Sequence, residues 1–361
     1  MTRWSLLQWK KRVFCVLSVA QTGSFGGYMR NRTNYLPGLD VIRLTAMLPV
    51  VCYHFNIESA RAGHAVPGWL IGRPMADAVE LALVLFFLLS GASLCWQWRG
   101  RFAWRPYLAG RVAGMYPMYW LGWGALFLYG EVLHGNNADI SRWRVIFSLL
   151  GLDGYLSPVT TTFYKIGEWF LGVILLLYLV FPLLLWCVET PRRRRMLAAS
   201  MTALALAWPF VCPAPLESGH TVLGRLPAFA LGVWFGTGLP EPKRGQLWGF
   251  AAVVLLVFAP RTLWPVGYLL VGAALFWLLL KAGGCLPETS HPALRWLAGQ
   301  CYGVYLIHHV FLTLVVLPLT ARLSLPLAAV FPIYLTACVA GAAVLAALAE
   351  PLSRLLKRTL S

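Results

Sequence analysis

Arg43 and His54 stand eleven positions apart in a stretch, 36–57, that is otherwise almost wholly apolar. At 100° per residue, eleven positions make three turns plus about 20°, so a helix carries both on one face, about 16 Å apart along its axis. A guanidinium grips phosphate or carboxylate bidentately. An imidazole titrates near neutrality and can take a proton from a hydroxyl. One helix face thus offers an anion grip at one end and a general base towards the other. Asp40, three positions before Arg43, is spaced to pair with it. At this level a plainer account stays open, in which Arg43 snorkels to lipid headgroups and His54 is a hydrogen-bonded packing residue.

The elements that must position these groups follow from composition. Of 361 residues, 59% are apolar and 12% are Asp, Glu, Lys or Arg, against a charged share of ~25% in a soluble domain. Apolar runs recur from residue 36 to residue 349, most of them long enough to cross a bilayer at ~17–25 residues per helix. A soluble fold, a disordered chain and a disulfide scaffold are excluded. Ten spans are expected, at 36–57, 78–98, 112–133, 166–188, 196–212, 221–239, 246–260, 263–280, 295–317 and 327–349, the sixth and seventh being the weakest. Lys and Arg in alternate connections divide 21 to seven, with Arg43 and Arg225 inside spans. Cytoplasmic loops retain basic residues, so both termini are placed in the cytoplasm and the span number is even. The reading is an all-α polytopic membrane protein, a bundle of about ten transmembrane helices. Topology absorbs the net charge of +17, and no nucleic-acid partner is called for.

The remaining features bound the problem further. Eight cysteines are scattered, mostly within spans, with no CxxC and no metal-ligand spacing, so they read as small buried hydrophobes. Residues 1–33 read as a cytoplasmic leader, with a second Met at 29 as an alternative start; residues 34–353 form the transmembrane domain and 354–361 a basic tail. The longest connection, 134–165, is too short for a soluble catalytic domain. Chemistry must then sit in the helical bundle or at its mouths. No internal repeat is evident, which weighs against a transporter built of duplicated halves.

Further motifs stand in order along the chain. Span 2 contains Phe86-Phe87-Leu88-Leu89-Ser90-Gly91. Arg105 and Arg111 precede Tyr116-Pro117-Met118-Tyr119-Trp120, span 4 begins Glu168-Trp169, and span 9 carries Cys301-Tyr302-Gly303-Val304-Tyr305-Leu306-Ile307-His308. The chain leaves span 10 at Glu350-Pro351. With Leu39-Asp40-Val41-Ile42-Arg43 and the spaced His54, this order resembles the acyltransferase 3 family, membrane-bound enzymes that O-acylate sugars, over about residues 36–353.

The resemblance implies an integral membrane O-acetyltransferase-like enzyme of the bacterial inner membrane, modifying polysaccharide or lipid-linked sugar. The donor is acyl-CoA, most often acetyl-CoA, and no metal is needed. Arg43, Arg111 and His308 are expected to bind the donor, with His54 the general base and Glu168 orienting it or acidifying the site. Arg105 is a candidate to assist Arg111, because Gly114 stands where the family carries a second Arg. Ile174 stands where many members carry Glu, and Cys301 where Ser is usual. Ser90-Gly91 reads as a close helix contact, and Tyr116, Trp120 and Trp169 as packing or interfacial anchors. His309 is expected against headgroups or a neighbouring helix, and Glu350 at a helix end against Arg354 or Arg358. A multi-span transporter and a non-catalytic subunit of a polysaccharide assembly system remain the competing readings, the latter kept open by Gly114 and Ile174.

Overall fold

A computed structural model describes residues 35–135, 139–238, 266–323 and 326–360, and these are helical throughout apart from turns and connections. The long helices are α1 (Pro37–Arg61), α2 (Arg73–Trp98), α3 (Trp104–Phe127), α4 (Glu168–Cys187), α5 (Pro191–Val211), α6 (Val222–Phe235), α7 (Val266–Gly284), α8 (His291–Phe311) and α9 (Leu327–Leu360). Proline occupies the first turn of α1, α2, α5 and α8, where its missing N–H costs nothing and its φ is already helical. The Thr190 and Thr221 hydroxyls accept from Arg193 and Gly224 backbone N–H and so cap α5 and α6.

Among the described residues, six helical stretches are long and apolar enough to cross a membrane: Pro37–Arg61, Gly68–Trp98, Glu168–Cys187, Val266–Gly284, Glu288–Thr320 and Leu327–Leu360. Helices α3, α5 and α6 occupy three more of the expected span positions; α6 is apolar but short. The leader 1–33 and the expected span 246–260 lie outside the described residues. Two expected boundaries are corrected. Helix α3 starts at Trp104 rather than 112, taking the basic stretch into its first turns. The tail from 354 continues α9 to Leu360, so Glu350 pairs with Arg354 within a helix rather than at its end.

Large apolar side chains such as Leu183, Phe210 and Leu348 face outward, as they must where the solvent is lipid. Hydrophobic burial then gives little drive between helices, and close packing of small residues takes over. One tight seam joins α2 to α6. A Cβ on Gly91 would lie 2.2 Å from the Phe229 carbonyl oxygen, and one on Gly232 would lie 2.2 Å from that of Leu88. Only glycine permits that approach, which agrees with the close contact expected at Ser90-Gly91. Around this seam, α1 packs on α2, α7 and α8, while α9 packs on α3 and α8. A cavity, mostly apolar in its lining but studded with charged and imidazole side chains, is left between α1, α2, α3, α4 and α8.

Candidate active site

Helix α1 carries its three polar groups as the spacing requires. Asp40 accepts from Arg43 Nη1 and from the Tyr35 hydroxyl, each at 2.7 Å. Arg43 and His54 both line the cavity, whose volume is about 510 Å³. Their shared face thus looks into the bundle rather than onto lipid. The ~16 Å between them sets the minimum length of the cavity.

At the Arg43 end the deepest cation is Arg111 of α3. Its side chain lines the cavity and is only 6% exposed, yet no carboxylate among the described residues forms an ion pair with it. It is held instead by aromatics: the guanidinium carbon lies 5.9 Å from the Tyr107 ring and 5.5 Å from the Tyr178 ring, with a hydrogen bond to Tyr178. Its Nε has no partner. A buried charge without a counter-ion is costly, and this one faces a cavity from which an anion could neutralise it. Arg105 is not part of this end. Its Nε donates to the Leu360 carbonyl at 3.2 Å on the exposed surface, so its expected help to Arg111 is corrected. Gly114 does face the cavity.

The other end is a cluster of imidazoles. The His54 ring meets His308 edge-to-face at 5.1 Å and His309 at 5.2 Å between centroids. His308 is fully buried, with Nδ1 donating to the carbonyls of Tyr305 (2.8 Å) and Val304 (3.2 Å). That fixes the tautomer: Nε2 carries the lone pair, has no partner, and belongs to a ring lining the cavity. The Tyr334 hydroxyl donates to the His308 carbonyl at 3.0 Å and holds the α8 backbone in place. His308 therefore stands beside His54 and far from Arg43. His309 also belongs to this cluster, its Nε2 lying 3.5 Å from Glu58, which pairs with Arg61 at 2.5 Å.

Glu168 lines the cavity from the first turn of α4. Its backbone is unusual, with Gly167 at φ +99° and Glu168 itself at φ +34°, a left-handed region that few non-glycine residues occupy. The Tyr305 hydroxyl holds this turn by accepting from the Leu171 N–H at 3.0 Å and donating to the Gly167 carbonyl. The Tyr164 hydroxyl hydrogen-bonds the Glu168 carboxylate. His309 and Glu58 are its ionisable neighbours, and no hydrogen bond joins it to His54.

One cavity therefore collects Arg43, His54, Arg111, Glu168 and His308 from four helices. A family profile for the acyltransferase domain matches residues 36–347, nearly the whole of this bundle. The chain belongs to the acyltransferase 3 family. It is 28% identical over 224 residues to the acyltransferase MdmB of Streptomyces mycarofaciens, covering 60% of this chain and 56% of that protein. It is 22% identical over 337 residues to the peptidoglycan O-acetyltransferase OatA of Listeria monocytogenes, covering 79% of this chain and 50% of the relative. The chain thus spans about half the length of these curated relatives. No solved structure matches it.

The acyltransferase 3 bundle also brings polar groups to the cavity that sequence reasoning passed over. Arg225 of α6, 3% exposed, forms a bidentate pair with Glu80 of α2, using Nη1 and Nη2, and its Nε donates to the Gly219 carbonyl at 2.5 Å. The Trp169 ring stacks on His220 at 4.2 Å and 23°, and His220 Nδ1 lies 3.0 Å from Glu217. Glu80, Trp169, Glu217 and His220 all line the cavity. One signal for the Arg225–Glu80 pair was available: a charge within a span costs ~2.5–3.5 kcal/mol and calls for a partner. Which helix supplied the partner needed the fold.

Proposed function

We propose that this protein is a membrane O-acyltransferase that moves an acyl group, acetyl in the first instance, from acyl-CoA to a carbohydrate hydroxyl. The bundle crosses the bacterial inner membrane ten times with both termini in the cytoplasm. The Arg43–Arg111 end then opens inward and the Glu168–His220 end outward. Donor enters from the cytoplasm, and the acceptor is a cell-surface or lipid-linked carbohydrate.

The observation that carries this reading is Arg111, a buried guanidinium with no carboxylate partner among the described residues, facing the same cavity as His54. Arg111 and Arg43 suit the phosphates of the donor. Its thioester end extends to His54 and His308. The acceptor oxygen attacks the thioester carbonyl carbon while His54 takes the hydroxyl proton; the C–S bond breaks and the thiolate leaves with that proton. Glu168 and His309 form the polar surroundings of His54 on the outer side. Family membership and the OatA likeness support the reaction class, since the relative's name includes O-acetyl transfer to peptidoglycan.

The test needs no acceptor. Acetyl-CoA is titrated against the detergent-purified protein in a thermal-shift assay, alongside Arg43→Ala, Arg111→Ala and His54→Ala. Saturable stabilisation is expected for the wild type and His54→Ala and is lost in both arginine variants. A folded wild type indifferent to acetyl-CoA and to longer acyl-CoAs overturns the reading in favour of a transporter or assembly subunit.

A further inference from the structure

The charges lining the cavity are not distributed evenly. At the Arg43 end the lining charges are cationic, with Arg43 paired to Asp40 and Arg111 lacking a carboxylate partner among the described residues. Beyond His54 the lining carboxylates are Glu80, Glu168 and Glu217, from α2, α4 and the connection before α6. No arginine or lysine among the described residues lines this end; Arg225 lies behind the wall with both Nη atoms committed to Glu80 and its Nε to a backbone carbonyl. The pair is neutral as a unit, so the net negative charge of this mouth comes from Glu168 and Glu217, with Glu80 contributing carboxylate oxygens as acceptors.

His220, in the connection outside the spans, is pulled below the ordinary imidazole range chiefly by burial, with Glu217 acting in the opposite direction. It therefore adds little positive charge to this mouth near neutrality. The stacked Trp169–His220 pair supplies an aromatic surface, and the unpartnered Nε2 of His308 supplies a buried acceptor deeper in. Carboxylates flanking an aromatic face are the complement of a saccharide: hydroxyls donate to the carboxylates and the apolar face of the pyranose lies on the ring. An anionic sugar would meet those carboxylates with no arginine or lysine among the described lining residues of this mouth to offset the repulsion.

We infer that the wall formed by Glu80, Trp169, Glu217 and His220 is the acceptor subsite, and that it selects a neutral or amino saccharide over a uronate or phosphorylated one. This rests on the acyltransferase reading and narrows its acceptor class.

Ala76 is exposed and lines this mouth, and Gly110 lines the other end with open space around a built Cβ. Ala76→Cys and Gly110→Cys therefore report the two ends through their rates of modification by a cationic trimethylammonium and an anionic sulfonate methanethiosulfonate, after subtracting the rate of the unsubstituted chain. Ala76→Cys is expected to favour the cationic reagent by roughly threefold or more over a free thiol, and the preference shrinks in Glu217→Gln. Gly110→Cys favours the anionic one. Methyl glucoside and methyl glucosaminide slow the labelling of Ala76→Cys, methyl glucuronide does not, and Trp169→Ala removes the protection.

Preference for the anionic reagent at Ala76→Cys, equal protection by the glucuronide, or no protection by any of the three glycosides overturns the inference. Acetyl-CoA slowing the labelling of Gly110→Cys is a separate readout. If it is absent while the glycosides still protect Ala76→Cys, the acyl-CoA reading falls and the saccharide subsite stands.

Discussion

The Tyr305 hydroxyl sits 3.0 Å from the Leu171 backbone nitrogen, bridging the middle of α8 to the first turn of α4. The same oxygen donates to the carbonyl of Gly167, so one phenol holds both sides of the turn that presents Glu168. With Gly167 and Glu168 both at positive φ, this turn has little conformational preference of its own. Tyr305→Phe is therefore expected to cost about 1 kcal/mol of stability and to lower turnover more than donor affinity. Thermal unfolding and an acetyl-CoA titration on the same preparation check both parts; unchanged turnover would show that the turn holds without the phenol.

The two cavity histidines should separate in their effects. His54 has no hydrogen bond on either ring nitrogen among the described residues, whereas His308 is anchored through Nδ1 to two carbonyls. With His54 as base, His54→Gln lowers turnover by roughly 10²–10⁴-fold and leaves stabilisation by acetyl-CoA intact. His308→Ala weakens both, because it removes a wall of the cavity along with the Nε2 acceptor. Acyl transfer measured at saturating donor distinguishes the pattern. Retained turnover in His54→Gln would move the base to His308, whose Nε2 has no hydrogen-bond partner among the described residues and whose ring lines the same cavity.

Much of the site was legible in the chain because helical periodicity is local. The eleven-residue step from Arg43 to His54 needed only the helix pitch, and the i,i+3 pair of Asp40 and Arg43 needed less. What could not be read were relations between helices. His309 looked like a residue for headgroups or a neighbouring helix, and its place beside His54 and Glu58 depends on α8 packing against α1. Arg105 looked like a partner for Arg111, but six positions on a helix turn it well away, and it meets the end of α9 instead. The wall of Glu80, Trp169, Glu217 and His220 draws on three separate segments, and no spacing along the sequence announces it.

The Gly91–Gly232 seam makes a sharp packing prediction. A methyl group at either position would sit 2.2 Å from a backbone oxygen of the facing helix, a clash that no side-chain rotation relieves. Gly91→Ala is expected to force α2 and α6 apart and to cost about 1–3 kcal/mol. Since α2 and the α6 entry hold Glu80 and Arg225, acceptor-dependent turnover should fall further than donor binding. Gly124→Ala, on α3 with open space around its Cβ, is the control that should melt like the wild type.

The Arg225–Glu80 pair allows the stability of a buried ion pair to be separated from its part in the cavity wall. Arg225 is nearly inaccessible and Glu80 partly so, and removing one partner leaves the other charge unpaired in a poorly solvated site. Arg225→Met or Glu80→Gln alone should each cost about 3–5 kcal/mol, seen as a lower melting temperature or as loss of the folded, detergent-stable species. The double variant restores neutrality and should recover most of that loss. Recovery of stability without recovery of turnover would show that the Glu80 carboxylate also serves the acceptor. Recovery of both would make the pair purely a fastener between α2 and α6. A double variant no more stable than the singles would place the energetic weight on the further bond from Arg225 to the Gly219 carbonyl, which fixes the connection carrying Glu217 and His220.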